Sequence, residues 1–454
     1  MTVSASRSAA LGILADIRRR GAFSRPVVDT ALARSGLSRE DVAFASRLVY
    51  GVITAQGTLD SIIDESAKRP GAVEPRVRDV LRLSICELLY LRTPARAAVH
   101  QGVDAVRKVQ PAAAGFANAV LRRVADRAES FPWGDPTTDR DVLARSSAMP
   151  RWLVDIFLED LGDAEGVHAL LAGTEAPPMF VRANPFRATP HETFEQLQAD
   201  GAQPEASPPD ESCFRCRSPR EAVHGEAVTG GMAIVSDAAA QVAPLSAAPR
   251  AGDRVLDIGA GRGTKTAVLQ GIALGSGGPA DITAVDIHGF KLDTLQESLS
   301  LLGLPAPRTA ILDATDESVL AGLGGEFDVV LIDAPCSNLG TLRRHPEKRW
   351  RLMPDDIERM AVLQRSLLDA ASHVVRRGGL VVYSTCTITR TENQDVVSAF
   401  LSGDRGRAFR VRPLHDVVDD AWQRFITPEG YFRSWPETSG ADGHFVSALV
   451  REEA

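Results

Sequence analysis

From Asp253 onward, short apolar runs alternate with segments of helix length, and this alternation constrains the fold more than any other feature of the chain. The runs are Arg254–Ile258, Ile282–Ile287, Thr309–Leu312, Phe327–Asp333 and Gly379–Ser384. Strands that are apolar at nearly every position are buried on both faces, which requires helices on either side. The pattern predicts a doubly wound, mostly parallel α/β sheet, with Phe409–Val411 and His444–Val450 as further strands closing its edge. Such a sheet binds ligands beyond the carboxyl ends of its strands, so chemistry is sought there.

The N-terminal part has another period. Val77, Val80, Leu81, Ile85, Leu88 and Leu89 recur at helical spacing, as do Val99, Val103, Val106 and Phe116, Val120, Val124. No strand-like alternation interrupts them, so an all-helical bundle is expected. Residues 128–150 carry Pro132, Gly134, Pro136 and Pro150 and read as a linker. A further helix is expected from Arg151 to Leu171, and Phe180 to about Gly230 reads as a small α+β subdomain. With 454 residues, the chain divides on this reading into a helical domain over 1–140, linker helices with the α+β subdomain over 141–235, and the α/β domain over 236–454.

The net charge of −8 argues by itself against a nucleic-acid partner, but its distribution does not. Residues 1–140 hold 21 Lys+Arg against 15 Asp+Glu, and the remainder 30 against 44. A basic module joined to an acidic one is the pattern of a polyanion-facing part beside a part with another task. Arg107, Lys108, Arg122, Arg123 and Arg127 fall near the ends of two expected helices, where they suit either RNA contact or the helix dipole. No apolar run is long enough to span a bilayer, and the N-terminus with its Arg18-Arg19-Arg20 run does not read as a signal peptide. Five cysteines, an odd number, fit a reducing compartment, so a cytoplasmic protein is expected.

The first α/β strand runs into Gly259-Ala260-Gly261-Arg262-Gly263-Thr264-Lys265. Glycines there let the backbone turn sharply and approach a ligand, and the next helix offers free N–H groups. A dinucleotide fingerprint needs Gly or Ala where Thr264 stands, so the turn reads better as an S-adenosylmethionine loop. Asp286 ends the second strand, where a carboxylate accepts ribose hydroxyls. Asp313 ends the third and is placed for an adenine edge, although on its own a helix cap is the better account.

The fourth strand delivers Asp333-Ala334-Pro335-Cys336-Ser337 and the fifth Ser384-Thr385-Cys386-Thr387. Most free cysteines are small buried hydrophobes. These two fall just past adjacent central strands, beside the cofactor turn. A disulfide does not suit the cytosol and a metal site lacks its other ligands, which leaves a nucleophilic thiolate. A pyrimidine C5 becomes nucleophilic enough to take a sulfonium methyl once a thiolate adds to C6. Asp333 stands at the right strand end to hydrogen-bond cytosine N3 and ease that addition.

These motifs resemble the RNA 5-methylcytosine methyltransferases. The likeness continues through Arg343-Arg344-His345-Pro346 to Trp350, through Glu392-Asn393, and upstream at Arg182-Ala183-Asn184-Pro185, Asp237 and Gln241. The segments Cys86–Leu91 and Gly115–Arg122 resemble the NusB RNA-binding fold, and the combination is similar to the RsmB/Sun (Fmu) family acting on 16S ribosomal RNA. The resemblance implies a Rossmann-like class I methyltransferase domain behind a NusB-like domain. It implies S-adenosylmethionine held along Gly259–Lys265 and at Asp286, Asp313 and Asp333. It further implies that Cys386 attacks and Cys336 aids product release. The residues alone leave those two roles open, since DNA cytosine methyltransferases attack with the cysteine of the earlier Pro-Cys motif.

Ribosomal RNA with a single-stranded or flipped cytosine is the partner implied, with no DNA, no membrane and no metal. Another structured RNA such as tRNA, and a non-catalytic assembly role, are the alternatives. Arg343, Arg344, Lys348 and Arg349 form a basic strip read as phosphate-binding, and His345 as structural or RNA-facing. Lys265, one of five lysines among 51 basic residues, coincides with the family's loop lysine. The loop otherwise departs from the family's Cys-Ala-Ala-Pro-Gly-Gly-Lys, with Arg262 bearing on cofactor affinity. Asn338-Leu339 replace the usual Gly-Thr after Cys336. Cys213-x-x-Cys216, a lone pair, is a poor zinc signal.

Overall fold

The computed structural model describes residues 3–21, 24–162, 166 and 177–453. The chain forms two units, one made of Met1–Glu175 with Leu342–Met353 and the other of Ala176–Thr341 with Pro354–Ala454.

The first unit is helical: α1 (Ala5–Arg20), α2 (Ser24–Ala33), α3 (Arg39–Ser66), α4 (Pro75–Leu89), α5 (Ala95–Val109), α6 (Ala114–Ala125), α7 (Arg140–Ser146) and α8 (Arg151–Leu161). The apolar residues that set the period in α4, α5 and α6 are largely buried in one core with Leu48, Val52, Leu59 and Ile63 of α3. Glu74 caps α4 by accepting from the N–H groups of Arg76 and Val77. Fully buried Glu87 is neutralised by Arg7, whose Nε donates to it at 3.0 Å. Arg107 and Lys108 do lie in the last turn of α5, and Arg122 and Arg123 in that of α6.

Two expectations need correction. The stretch read as a linker contains α7, whose Val142, Leu143 and Ala144 are buried, and Tyr90 donates its hydroxyl to the Arg145 carbonyl. Proline and glycine punctuation marked turns inside this unit rather than a gap between domains. The helix expected to reach Leu171 ends as α8 at Leu161, with Gly162 as its C-cap at φ +78°, and beyond Gly162 only Gly166 of that stretch is among the described residues.

Residues 342–353 are packed into this helical unit. Glu347 accepts the backbone N–H and the hydroxyl of Ser24, each at 3.0 Å. Trp350 donates its indole N–H to the Thr54 carbonyl at 2.7 Å, and a side chain at Gly57 would collide with the Trp350 ring. Charge pattern gave no sign of this excursion.

The second unit holds two sheets. The smaller is antiparallel, β2 (Pro204–Ala206), β3 (Cys213–Cys216), β1 (Met179–Ala183) and β4 (Ala233–Val235) in spatial order, with α9 (Pro190–Ala199) against it. The larger contains β5 (Arg254–Ile258), β6 (Asp281–Asp286), β7 (Arg308–Ile311), β8 (Phe327–Asp333), β9 (Val375–Thr385), β10 (Phe409–Arg412), β11 (Phe432–Arg433) and β12 (Phe445–Arg451). Its order is β10-β12-β9-β8-β5-β6-β7, with β11 paired to β12.

Strands β5 to β9 pair in parallel, and β12 runs antiparallel between β9 and β10. Alternate residues serve opposite faces. Val255, Val329, Leu331 and Val382 pack under α10 (Ala238–Ala247) and α11 (Thr264–Gly275). Leu256, Val330, Ile332, Val381 and Tyr383 pack under α13 (Pro354–Val374) and α14 (Gln394–Ser402). Helix α12 (Gly289–Leu302) follows β6. The fold is therefore a Rossmann-like α/β domain, as the apolar runs required. Among the described residues no helix is long and apolar enough to cross a membrane.

Candidate active site

Strands β8 and β9 are parallel neighbours with Asp333 opposite Ser384, so their ends coincide. The loops that leave them bring Cys336 Sγ within 3.5 Å of Cys386 Sγ, and both cysteines are partly exposed. The hydrogen bond to Cys386, together with burial, pushes the Cys336 thiol well above its ordinary value, which keeps it protonated. Either sulfur can be the donor across this contact. The amide Nδ2 of Asn338 donates to the same sulfur at 2.9 Å. The Asn338 side-chain amide donates to Cys386, a difference between two cysteines that the sequence left equivalent.

Glu392 joins the two loops. It is fully buried and accepts the Ser337 N–H at 2.8 Å, the Ser337 hydroxyl, the Thr389 hydroxyl at 2.9 Å and Gln364 Nε2 at 3.1 Å. The Thr387 hydroxyl also reaches it, at 3.2 Å. Ser337 follows one cysteine and Thr387 the other. Asn393 adds a bond to the Thr387 carbonyl and accepts the Thr385 hydroxyl. Gln364 and the role of Glu392 escaped sequence reasoning; the only signal was that Glu392-Asn393 follows the second cysteine so closely.

The glycine turn lies beside these loops. Gly259, Gly261 and Gly263 all have positive φ, and a side chain at Gly259 would collide with the Asp333 carbonyl. Lys265 Nζ is 2.8 Å from Asp333 Oδ2. Burial works against the Lys265 ammonium, but Asp333 overcomes it and holds lysine above its usual range. Below the turn, Asp257 is fully buried, and desolvation with Asp333 nearby pushes its carboxyl up to about 7 although Thr266 donates to it at 2.6 Å. Asp286 ends β6 with Oδ1 accepting from His288 N–H, Oδ2 from Gly261 N–H and Lys291 3.3 Å away. Just beyond it, Ile287 is exposed, as is Ile311 at the end of β7. Two apolar side chains held in solvent beside acidic strand ends suit a flat ring, a feature the sequence reading passed over.

Family models for 16S rRNA methyltransferase RsmB/F, the NusB family and the RsmF/B-like ferredoxin-like domain match residues 244–450, 4–126 and 149–222. A putative methyltransferase of Mycobacterium tuberculosis is 36% identical over 98% of this chain and 96% of its own. The ribosomal RNA small subunit methyltransferase B of Xylella fastidiosa is 32% identical over 93% and 96%. The chain belongs to the RsmB/F methyltransferase family. Its fold is shared along 99% of the chain with the solved structure of PH0851, all of which is covered, at a TM-score of 0.79 and 23% identity. NSun6 from Pyrococcus horikoshii, solved with SFG, covers 67% of this chain and 98% of its own at a TM-score of 0.57 and 18% identity.

In this RsmB/F chain, several residues singled out by sequence turn inward. Arg349 is fully buried and donates to the Pro346 carbonyl at 3.1 Å and the Ala148 carbonyl at 3.2 Å. A guanidinium committed in this way is not a phosphate contact, so the basic-strip reading is corrected for Arg349. Arg343 is buried as well, while Arg344 and Lys348 keep partial exposure. Asp313 turns on its own chain, accepting the N–H and hydroxyl of Thr315, and those bonds lower its pKa. Arg182 pairs with Asp210, Asn184 holds the Gly231 and Leu302 carbonyls, and Asp237 caps α10, so these upstream residues brace the fold. Burial pushes the Cys86 thiol up to about 12 and that of Cys216 to about 11, and Cys213 is raised too. Among the described residues no His/Cys/Asp/Glu cluster suits a metal.

Proposed function

We propose that this chain methylates C5 of a cytosine in small-subunit ribosomal RNA, with Cys386 as the nucleophile. The observation that carries the reading is the approach of the two sulfurs to 3.5 Å, with the Asn338 amide donating to Cys386 at 2.9 Å. Relatives named ribosomal RNA small subunit methyltransferase B support the choice of RNA.

The residues fit S-adenosylmethionine: a turn that only glycines can make at Gly259, a carboxylate at Asp286, and the exposed Ile287 and Ile311. When bound, that cofactor supplies an electrophilic methyl group. Gly259 through Lys265 and Asp286 would hold it, with Asp313 at the outer edge. The Cys386 sulfur forms a bond to C6 of the flipped cytosine, and the C5–C6 π electrons become available at C5. Asp333, oriented by Lys265, contacts the N3 edge. Once C5 has taken the methyl, with the sulfonium left as its neutral thioether, a base takes the C5 proton. The C5–H electrons re-form the C5–C6 double bond, and the C6–S bond breaks to release the Cys386 thiolate. Cys336, kept protonated, stands beside the sulfur that departs. Arg344 and Lys348, and the basic ends of α5 and α6, are the phosphate contacts we assign.

The test is methyl transfer to small-subunit RNA, read as 5-methylcytosine by bisulfite sequencing. Cys386→Ala abolishes transfer, and Cys336→Ala accumulates a covalent protein–RNA species that resists denaturing gels. Full activity in Cys386→Ala would refute the assignment.

A further inference from the structure

Asn338 sits at φ +59°, in the left-handed region, where glycine is the ordinary occupant and asparagine the side-chain-bearing residue that fits best. A glycine would make the same turn. Asparagine adds an amide, and the loop aims it at the Cys386 sulfur at 2.9 Å. The placement is held from both sides. Gly340 donates its N–H to the Cys386 carbonyl at 3.0 Å, and Thr341 returns its N–H and hydroxyl to the Asn338 carbonyl at 3.0 and 2.9 Å.

The charged and titratable groups around that sulfur come from every packed element. Cys336 and Asp333 follow from β8, Lys265 from α11, Tyr383 and Glu392 from either side of the second cysteine loop, and Asp257 lies under the glycine turn. Lys265 is engaged by Asp333 and Glu392 by hydroxyl, amide and N–H donors. The Asn338 amide is a neutral donor, one that does not itself titrate, set directly on the reacting atom.

We propose that Asn338 is a positioning residue for the nucleophile: its amide N–H holds the Cys386 sulfur in place and favours thiolate over thiol before RNA arrives. The proposal rests on Cys386 being the attacking sulfur. An N–H donor on a sulfur stabilises its anion more than its protonated form, and the nucleophile is the anion.

The experiment is alkylation of the full-length protein by iodoacetamide from about pH 6 to about pH 10, without RNA or cofactor, with the Cys386 peptide followed by mass spectrometry. Asn338→Gly keeps the left-handed turn and removes the donor. Its Cys386 alkylation near neutral pH falls about tenfold while the rate at high pH matches the parent. Asn338→Asp replaces the donor with a negative charge and lowers the neutral rate further. A Gly variant whose pH profile overlays the parent's, or an Asp variant as reactive as the parent, overturns the proposal. Retained methyl transfer by Cys386→Ala would instead overturn the nucleophile assignment, so the two failures are distinct.

Discussion

The backbone N–H of Ser337 donates to the carboxylate of Glu392 at 2.8 Å, across 55 positions of sequence. Through that bond, one buried carboxylate fixes the loop after Cys336 while Thr387 ties it to the loop after Cys386. Glu392→Gln exchanges an acceptor-only group for one that presents two donors to a ring of donors. We expect about 2–4 kcal/mol of lost stability and a drop of roughly tenfold or more in methyl transfer. Thermal unfolding beside a transfer assay checks both, and a variant as stable and active as the parent would contradict the bracing role.

Lys265 and Asp333 lie 2.8 Å apart at the mouth of the cofactor turn. Lys265→Met leaves Asp333 without this partner and weakens S-adenosylmethionine binding by about tenfold, measured by calorimetry. Gly259→Ala acts on the same turn, through φ +75° and collision with the Asp333 carbonyl, and reduces binding at least as much. Since Asp333 holds the lysine above its usual range, the ammonium persists through neutral pH and a neutral-pH limb in activity will not report Lys265.

Asp257 makes stability pH-dependent. Its carboxyl is raised from 3.8 to about 7 by burial, so the folded protein binds a proton that the unfolded chain gives up. The contribution of the neutral carboxyl is fully present below pH 3.8, the unfolded value, and is lost as pH rises through about 7. Asp257→Asn keeps an acceptor for Thr266 and removes the titration. The parent should lose stability relative to the variant between those limits, by on the order of 4 kcal/mol, and then run parallel to it. Unfolding temperatures of the two proteins across that range test the sign.

Arg349→Met strips donors from the Pro346 and Ala148 carbonyls and should cost about 2–4 kcal/mol, seen as a lower unfolding temperature. RNA affinity per folded molecule should hold. Arg344→Ala and Lys348→Ala should weaken RNA binding with a shallower salt dependence.

The parallel sheet was legible because burial on both faces writes continuous apolar runs, and each strand end then placed its acidic or sulfur-bearing residue. Cys336, Cys386, Asp333 and Lys265 do come together for that reason. What composition could not convey was partnership over distance. Arg349 looked like one more exposed charge, yet its Ala148 carbonyl lies 201 positions away. Gln364 reads as an ordinary helix residue until its amide is found between Pro335 and Glu392. Asn338 looked like a disturbance of loop shape, whereas its backbone keeps the turn a glycine would make and its side chain reaches a sulfur.

The excursion of residues 342–353 into the helical unit bears on how this polypeptide can be divided. Expressed from Ala176 onward as a separate fragment, the catalytic half would carry an indole without its Thr54 carbonyl and a guanidinium without its Ala148 carbonyl. The helical half, made alone, would lack the carboxylate that receives Ser24. Neither is a clean module, and fragment complementation should succeed only when both halves are produced in the same cell.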